Sequence, residues 1–280
     1  RHAETMRSSC SLKSLSILDF LDPLQPWVLV PNGSFGGYFD WIPEHLRIGP
    51  WSPSAIAVWA GLIYVFGLCC CYFCSREQWW SETDFASLHY PEAFSTRWYY
   101  HAMGCVWMIY IIYSIMAKSP LTYRAWATYT VQSWSLLTIR HGLCALVPWF
   151  PSLKEPAEVL RFPCAVAPTI TFFVWNFVVA PYIILVAFKD PERKKTFIAF
   201  CTSFRLTNLH VLNILLCVLN VGTFGSPPRH LEFADLFVAL FSLFVYMGFY
   251  LLVLDRLGVH LYPVFSPRTS LLVLATWMGV

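Results

Sequence analysis

The sequence predicts an all-α protein, a polytopic transmembrane helix bundle of six to seven spans, on three observations. Of 280 residues, 57% are hydrophobic, against about 45–50% in soluble domains. Charged residues make up only 12%, about half the usual share, and mean hydropathy is +0.54. The charges also cluster and leave long intervals without any. A chain this poor in polar residues cannot cover a water-facing surface. Its hydrophobicity excludes intrinsic disorder, and a net charge of +3 provides no basic field for a nucleic acid.

The charge-free stretches are residues 48–75, 98–117, 125–139, 162–188, 206–228 and 237–254. A helix needs about 20 apolar residues to cross a bilayer. The third stretch is short, but it continues past Arg140-His141 to Val147 with that pair as its one polar step. A seventh run, 269–280, is too short to span as written. It is re-entrant, interfacial, or the start of a longer segment. Pro53 falls at a first helical turn, where a missing N–H costs little. Pro168 and Pro181 lie inside the fourth span and are expected to kink it.

Tryptophan and tyrosine crowd the span ends at Trp79-Trp80, Trp98 to Tyr100, Tyr123, Trp126, Trp149 and Tyr262. This is the aromatic belt of a membrane interface, and it requires no cofactor. Lys and Arg divide unevenly. The N-terminal segment and loops two–three, four–five and six–seven carry 13 of them, and the opposite side carries 6. The bias predicts a cytosolic N-terminus and a cytosolic loop from Lys189 to Arg205. The expected setting is a eukaryotic endomembrane or the plasma membrane, with an organellar membrane as alternative. Residues 1–50 form an N-terminal extension with an amphipathic, proline-broken segment from Leu15 to Val30 suited to an interface, and residues 51–280 form the bundle. The chain opens on Arg, so either Met6 is the initiator or an upstream piece is missing.

Polar groups inside spans are costly and mark interior faces. In the fifth span His210, Asn213, Cys217 and Asn220 are spaced three, four and three apart, which puts them on one helix face. Asn208 lies two residues before His210. Such a stripe is a seam between helices, a pore lining or the wall of an active site. The third span supplies Thr130 and Gln132 as partners. Counted from Ala125 and Arg205, Thr130 and His210 each lie about five residues in, roughly 7–8 Å deep. A hydroxyl becomes a nucleophile when a base such as histidine takes its proton, although a membrane threonine also bonds its own i−4 carbonyl. The cluster from Cys69 to Cys74 has no histidine at ligand spacing, so no metal is expected there; packing or a disulfide explains it.

Three short motifs then carry a resemblance. His210-Val-Leu-Asn213 opens one span, Pro227-Pro228-Arg229-His230-Leu231 fills the following loop, and Tyr262-Pro263-Val264 follows the next span. Together with Tyr129 to Trp134, they make residues 95–267 similar to the Rolling stone-like membrane proteins, within the wider group of androgen-induced membrane hydrolases. The resemblance implies a six-helix-like core. In the hydrolase branch it implies a Thr nucleophile and a His that cleave fatty acid esters of hydroxy fatty acids, which maps to Thr130 and His210. That branch has a second His where this chain has Asn213, and the Rolling stone-like branch shares the His-x-x-Asn form.

Two functions follow. One is an intramembrane lipid-ester hydrolase with Thr130 as nucleophile, His210 as base, and Asn213, Gln132 or Asn208 in support. The other is a non-catalytic scaffold or accessory subunit whose polar stripe is a seam. Membrane lipids are the expected partners of both, with protein partners in a membrane complex for the second. A transporter is disfavoured by the lack of an acidic ring or repeat symmetry. Retinal chemistry is excluded because no Lys follows Lys195, and nucleotide chemistry because no glycine-rich phosphate loop is present.

Overall fold

The computed structural model of the chain describes residues 50–75, 79–80, 82–118, 122–222, 224–262 and 266–269, and its regular elements there are all helical. The N-terminal extension to residue 49, the run after residue 269 and Pro263-Val264 lie outside the described residues. The main helices are α1 (Pro53–Cys74), α2 (Thr96–Lys118), α3 (Tyr129–Leu146), α4 (Lys154–Val159), α5 (Pro163–Phe173), α6 (Pro191–Cys201), α7 (Phe204–Val221) and α8 (Phe233–Leu254).

Their starts follow local chemistry. Ser52, Ser95 and Thr128 each accept a bond through the side-chain oxygen from the N–H three residues on, and Asp190 accepts from Glu192 N. These are N-caps, which satisfy an orphan donor of the first turn. Pro53, Pro163 and Pro191 open α1, α5 and α6, where no N–H is needed.

Five helical segments among the described residues are long and apolar enough to cross a membrane: α1, α2, the run Pro151–Ala187, α7 and α8. The protein is therefore an integral membrane protein. The outward faces of α1 and α2 agree, with Ile63, Val65, Leu68, Met103, Val106 and Ile109 all exposed. Lipid solvates such faces; water would not.

Five is fewer than the six to seven spans expected. The difference is α3, which arises from the stretch 125–147. It has 18 residues, and 11 of them are buried. A helix enclosed by its neighbours needs no apolar outer surface, so it can carry Arg140 and His141. The prolines are built into the helical path. Pro168 sits inside α5, and the helical path continues through π turns at Val174–Val179 and Ile183–Ala187 around the short turn Ala180–Tyr182. The wider π spacing accommodates backbone groups that a proline leaves without a donor.

The described chain falls into two compact units. The larger is Leu62–Tyr246. In it α2 and α3 run antiparallel, with Trp134 Nε1 donating to Met108 O (3.1 Å) and Trp98 Nε1 to Ala145 O (2.8 Å). Helix α5 packs against both α3 and α7. Phe66 of α1 stacks on Phe237, Phe241 and Phe244 of α8, the last at 4.3 Å between centroids.

The second unit comprises the residues up to Gly61 and those from Met247 on. Its centre is Asp255, buried, which accepts a two-pronged bond from Arg268 (2.9 and 2.9 Å) and a third from Trp51 Nε1 (2.9 Å). Arg256 lies over the Trp51 ring at 5.3 Å. Tyr250 Oη donates to Tyr262 O (3.0 Å) and accepts from Tyr262 N.

Candidate functional site

Helix α5 provides a ruler for the layer that holds Thr130 and His210. Cys164 Sγ donates to Leu136 O of α3. On the other side Cys217 Sγ donates to Ala165 O (3.4 Å) and Asn213 Nδ2 to Pro168 O (3.2 Å). Asn176 Nδ2 then donates to both Phe172 O and His210 O (2.8 Å each). Moving six residues back along α3 from Leu136 reaches Thr130, and moving six forward along α5 from Cys164 reaches Ile170. Ile170 lies between the levels of Asn213 and His210. Thr130, His210 and Asn213 therefore share one layer to within about a helical turn, ~5 Å. The π turn Asn208–Leu212 that carries His210 also touches α3.

Each side chain of that layer has a definite surrounding. Thr130 is buried in the first turn of α3, which starts at Tyr129 rather than Ala125 because a 3₁₀ turn, Thr122–Ala127, and the Thr128 cap precede it. His210 is buried, its ring stacked on Trp175 at 4.2 Å and 14°, and its Nδ1 has no hydrogen-bond partner. Asn208 accepts from Trp107 Nε1 (3.0 Å) and donates to Phe204 O. Gln132 donates to Trp126 O (3.2 Å). Asn213 is buried with its Oδ1 unpartnered. The stripe residues His210, Asn213, Cys217 and Asn220 are all buried.

A second polar centre was not foreseen from the sequence. Arg140, fully buried in α3, donates from Nε to Ala157 O (2.9 Å) and from Nη1 to Asn220 O and Oδ1 (2.9 and 2.5 Å). Its Nη2 donates to Ser226 Oγ (2.5 Å) and lies 3.5 Å from Glu158 Oε1. Glu158 of α4 also accepts from Tyr90 Oη (2.7 Å), Arg229 Nε (2.7 Å) and Arg161 Nη1 (3.4 Å). Arg229 grips Asp235 in the first turn of α8 with two bonds (2.8 and 2.6 Å), and Trp80 Nε1 adds a third (3.1 Å). Three guanidiniums thus surround two carboxylates.

The network has a helix-level logic. The last carbonyls of α7 lack intrahelical partners. Arg140 takes that of Asn220 and Arg161 that of Val221 (2.9 Å), and Arg161 also bonds the loop carbonyl of Pro227 (2.8 Å). Cations suit a C-terminus, and Asp235 suits the N-terminus of α8. Burial alone would pull the Arg229 guanidinium down, but its bonds to Asp235 and Glu158 outweigh that and hold it above its ordinary pKa. Burial, reinforced by Glu158, pushes the Tyr90 phenol up, so it remains a donor. One clue was available in the sequence: an arginine inside a span must find a carboxylate, and Glu158 lies 18 residues on.

Close backbone approaches complete this end of the unit. Gly225 folds back on α7, where a Cβ would lie 2.7 Å from Leu219 O, and its carbonyl accepts from His101 Nε2 (3.0 Å). His101 faces His141 with ring centroids 5.0 Å apart, and His141 lies over Gly104. A Cβ on Gly104 would stand 2.7 Å from His141 Nδ1. Gly104→Ala is expected to destabilise the folded protein by about 1–3 kcal/mol through overpacking, and His141→Ala in the same chain should recover much of that loss. Thermal midpoints in detergent check it; equal losses with and without the histidine would contradict it.

The cysteine cluster divides by face. Cys69 and Cys70 pack against the Phe73–Phe237 core, whereas Cys71 and Cys74 are exposed. All four are free thiols in the structure. No protein family, no curated protein and no solved structure matches the chain.

Proposed function

We propose that this integral membrane protein is an intramembrane hydrolase of lipid esters, resembling the Rolling stone-like proteins and their hydrolase relatives, with Thr130 as nucleophile and His210 as base. The observation that carries this reading is the shared layer: a buried hydroxyl and a buried imidazole on touching helices. Trp175 holds the imidazole in place and its Nδ1 is not engaged by the protein. Thr130 Oγ adds to the acyl carbonyl while its proton passes to His210. The C–O bond to the leaving alcohol breaks, and that alkoxide takes the proton back from His210. Water then adds to the threonyl ester, again deprotonated by His210, and releases the fatty acid with Thr130 restored. Asn213, in the same layer, has its Nδ2 on Pro168 O and its Oδ1 unpartnered, so it is suited to accept from the attacking water and orient it. The N-terminus is cytosolic in this reading, in a eukaryotic endomembrane or the plasma membrane.

The test is release of free fatty acid from a fatty acid ester of a hydroxy fatty acid by protein reconstituted in lipid vesicles. Thr130→Ala and His210→Gln are each expected to lower the rate about 100-fold or more, with the fold retained by thermal midpoint. Unchanged turnover in both variants would overturn the assignment.

A second reading has its own observation. Asn213 donates to Pro168 O of α5, Asn176 donates to His210 O of α7, and Asn208 accepts from Trp107 Nε1 of α2, which is what a helix–helix seam requires. A non-catalytic scaffold or accessory subunit would show no turnover with any ester, and His210→Gln would lower stability alone.

A further inference from the structure

The structure assigns a second lipid-binding element: we propose that α6, with the residues flanking it, is an interfacial anchor that recognises anionic lipid headgroups. The helical run to Ala187 and helix α7, which starts at Phe204, are both long and apolar enough to cross the bilayer. Residues 188–203 join their ends, so this segment cannot leave the membrane surface by more than its own length. It is itself helical over Pro191–Cys201.

Its charges are concentrated. Residues 188–205 hold Lys189, Arg193, Lys194, Lys195 and Arg205 against Asp190 and Glu192. Their surplus of three cations equals the net charge of the whole chain. Asp190 is occupied as the helix cap. Lys189, Arg193 and Lys195 are exposed, and Lys194 and Arg205 are half-buried. None of the five enters an ion pair described in the structure.

The apolar residues of the same segment hold it to the surface. Phe197 packs against Phe188 (5.7 Å), Trp175 (6.3 Å) and Phe200 (6.2 Å). Ile198 and Phe204 remain exposed among the cations. Exposed apolar groups beside Lys and Arg that enter no described ion pair, at the junction of two helices able to cross a bilayer, are the chemistry of an anionic leaflet. A free inorganic anion would use the charges but not the exposed apolar groups, so the occupant is the lipid. This assignment does not depend on catalysis at Thr130.

The experiment uses the full chain in phosphatidylcholine vesicles doped with spin-labelled phosphatidylserine or spin-labelled phosphatidylcholine, and electron paramagnetic resonance to read the protein-restricted fraction. The natural chain is expected to enrich phosphatidylserine about fivefold, the equivalent of one cation engaging a headgroup. Raising salt to about 0.5 M should cut that preference. Replacing Lys189, Arg193, Lys194 and Lys195 together by Gln should abolish it, and Lys189→Arg with Lys194→Arg and Lys195→Arg should keep it. Equal enrichment of the two lipids by the natural chain, or an undiminished preference in the Gln variant, would overturn the proposal. Displacement by inorganic phosphate beyond that by chloride at equal ionic strength would also overturn it and assign the cations to a free anion.

Discussion

Arg140→Lys is expected to cost about 3–5 kcal/mol of stability even though the charge is kept. A guanidinium reaches Ala157 O, both oxygens of Asn220, Ser226 Oγ and Glu158 from one planar fork. An ammonium is a point charge with three donors on a flexible stem, and it cannot serve acceptors on that many sides. The acceptors left behind are buried, so each carries its desolvation penalty without a bond. The carbonyl of Asn220 also loses its cap at the end of α7. Thermal unfolding in detergent, followed by elution as a monodisperse peak, measures the loss. A midpoint within about 2 °C of the natural protein would contradict this account of the network.

Glu158→Gln carries a comparable penalty by the opposite route. The carboxylate faces Arg140, Arg161 and Arg229 at once. Neutralising it leaves three buried cations with Asp235 as their remaining counter-charge within the network. Breaking a buried pair by removing one partner costs about 3–5 kcal/mol, because the other charge is stranded. Arg229 retains Asp235, so the loss falls chiefly on Arg140 and Arg161. A double-mutant cycle of Glu158→Gln with Arg161→Gln is therefore expected to show a coupling of about 1–3 kcal/mol. Strict additivity of the two losses would show that the pair makes no contribution of its own.

The membrane helices were legible because lipid leaves little choice. Long charge-free runs become α1, α2, α7 and α8, and Ser52 with Pro53 and Ser95 set the first turns of α1 and α2 chemically. Helix α3 was harder to read. Its hydroxyls, Arg140 and His141 weaken its apolar signal, and its interior position becomes evident only when α2, α5 and α7 are seen around it. The stripe from His210 to Asn220 was readable from spacing alone, since three- and four-residue steps fix one face. The Arg140–Glu158–Arg229 network was not, because its members are spread over a span, a short helix and a loop, and only folding brings them together. Glu158 gathers Arg140 of α3, Arg161 and Arg229 at one end of the unit.

Three sulfhydryl and amide bonds to carbonyls fix the register of α3, α5 and α7, and the nucleophile assignment follows from chemistry applied to that register. The most direct measurement is therefore the location of a covalent adduct. Reconstituted protein is treated with a long-chain fluorophosphonate, digested and mapped by mass spectrometry. The account predicts one phosphonylated residue, Thr130, and loss of that adduct in His210→Gln. An adduct on any other residue, or labelling of Thr130 that persists without His210, would contradict it.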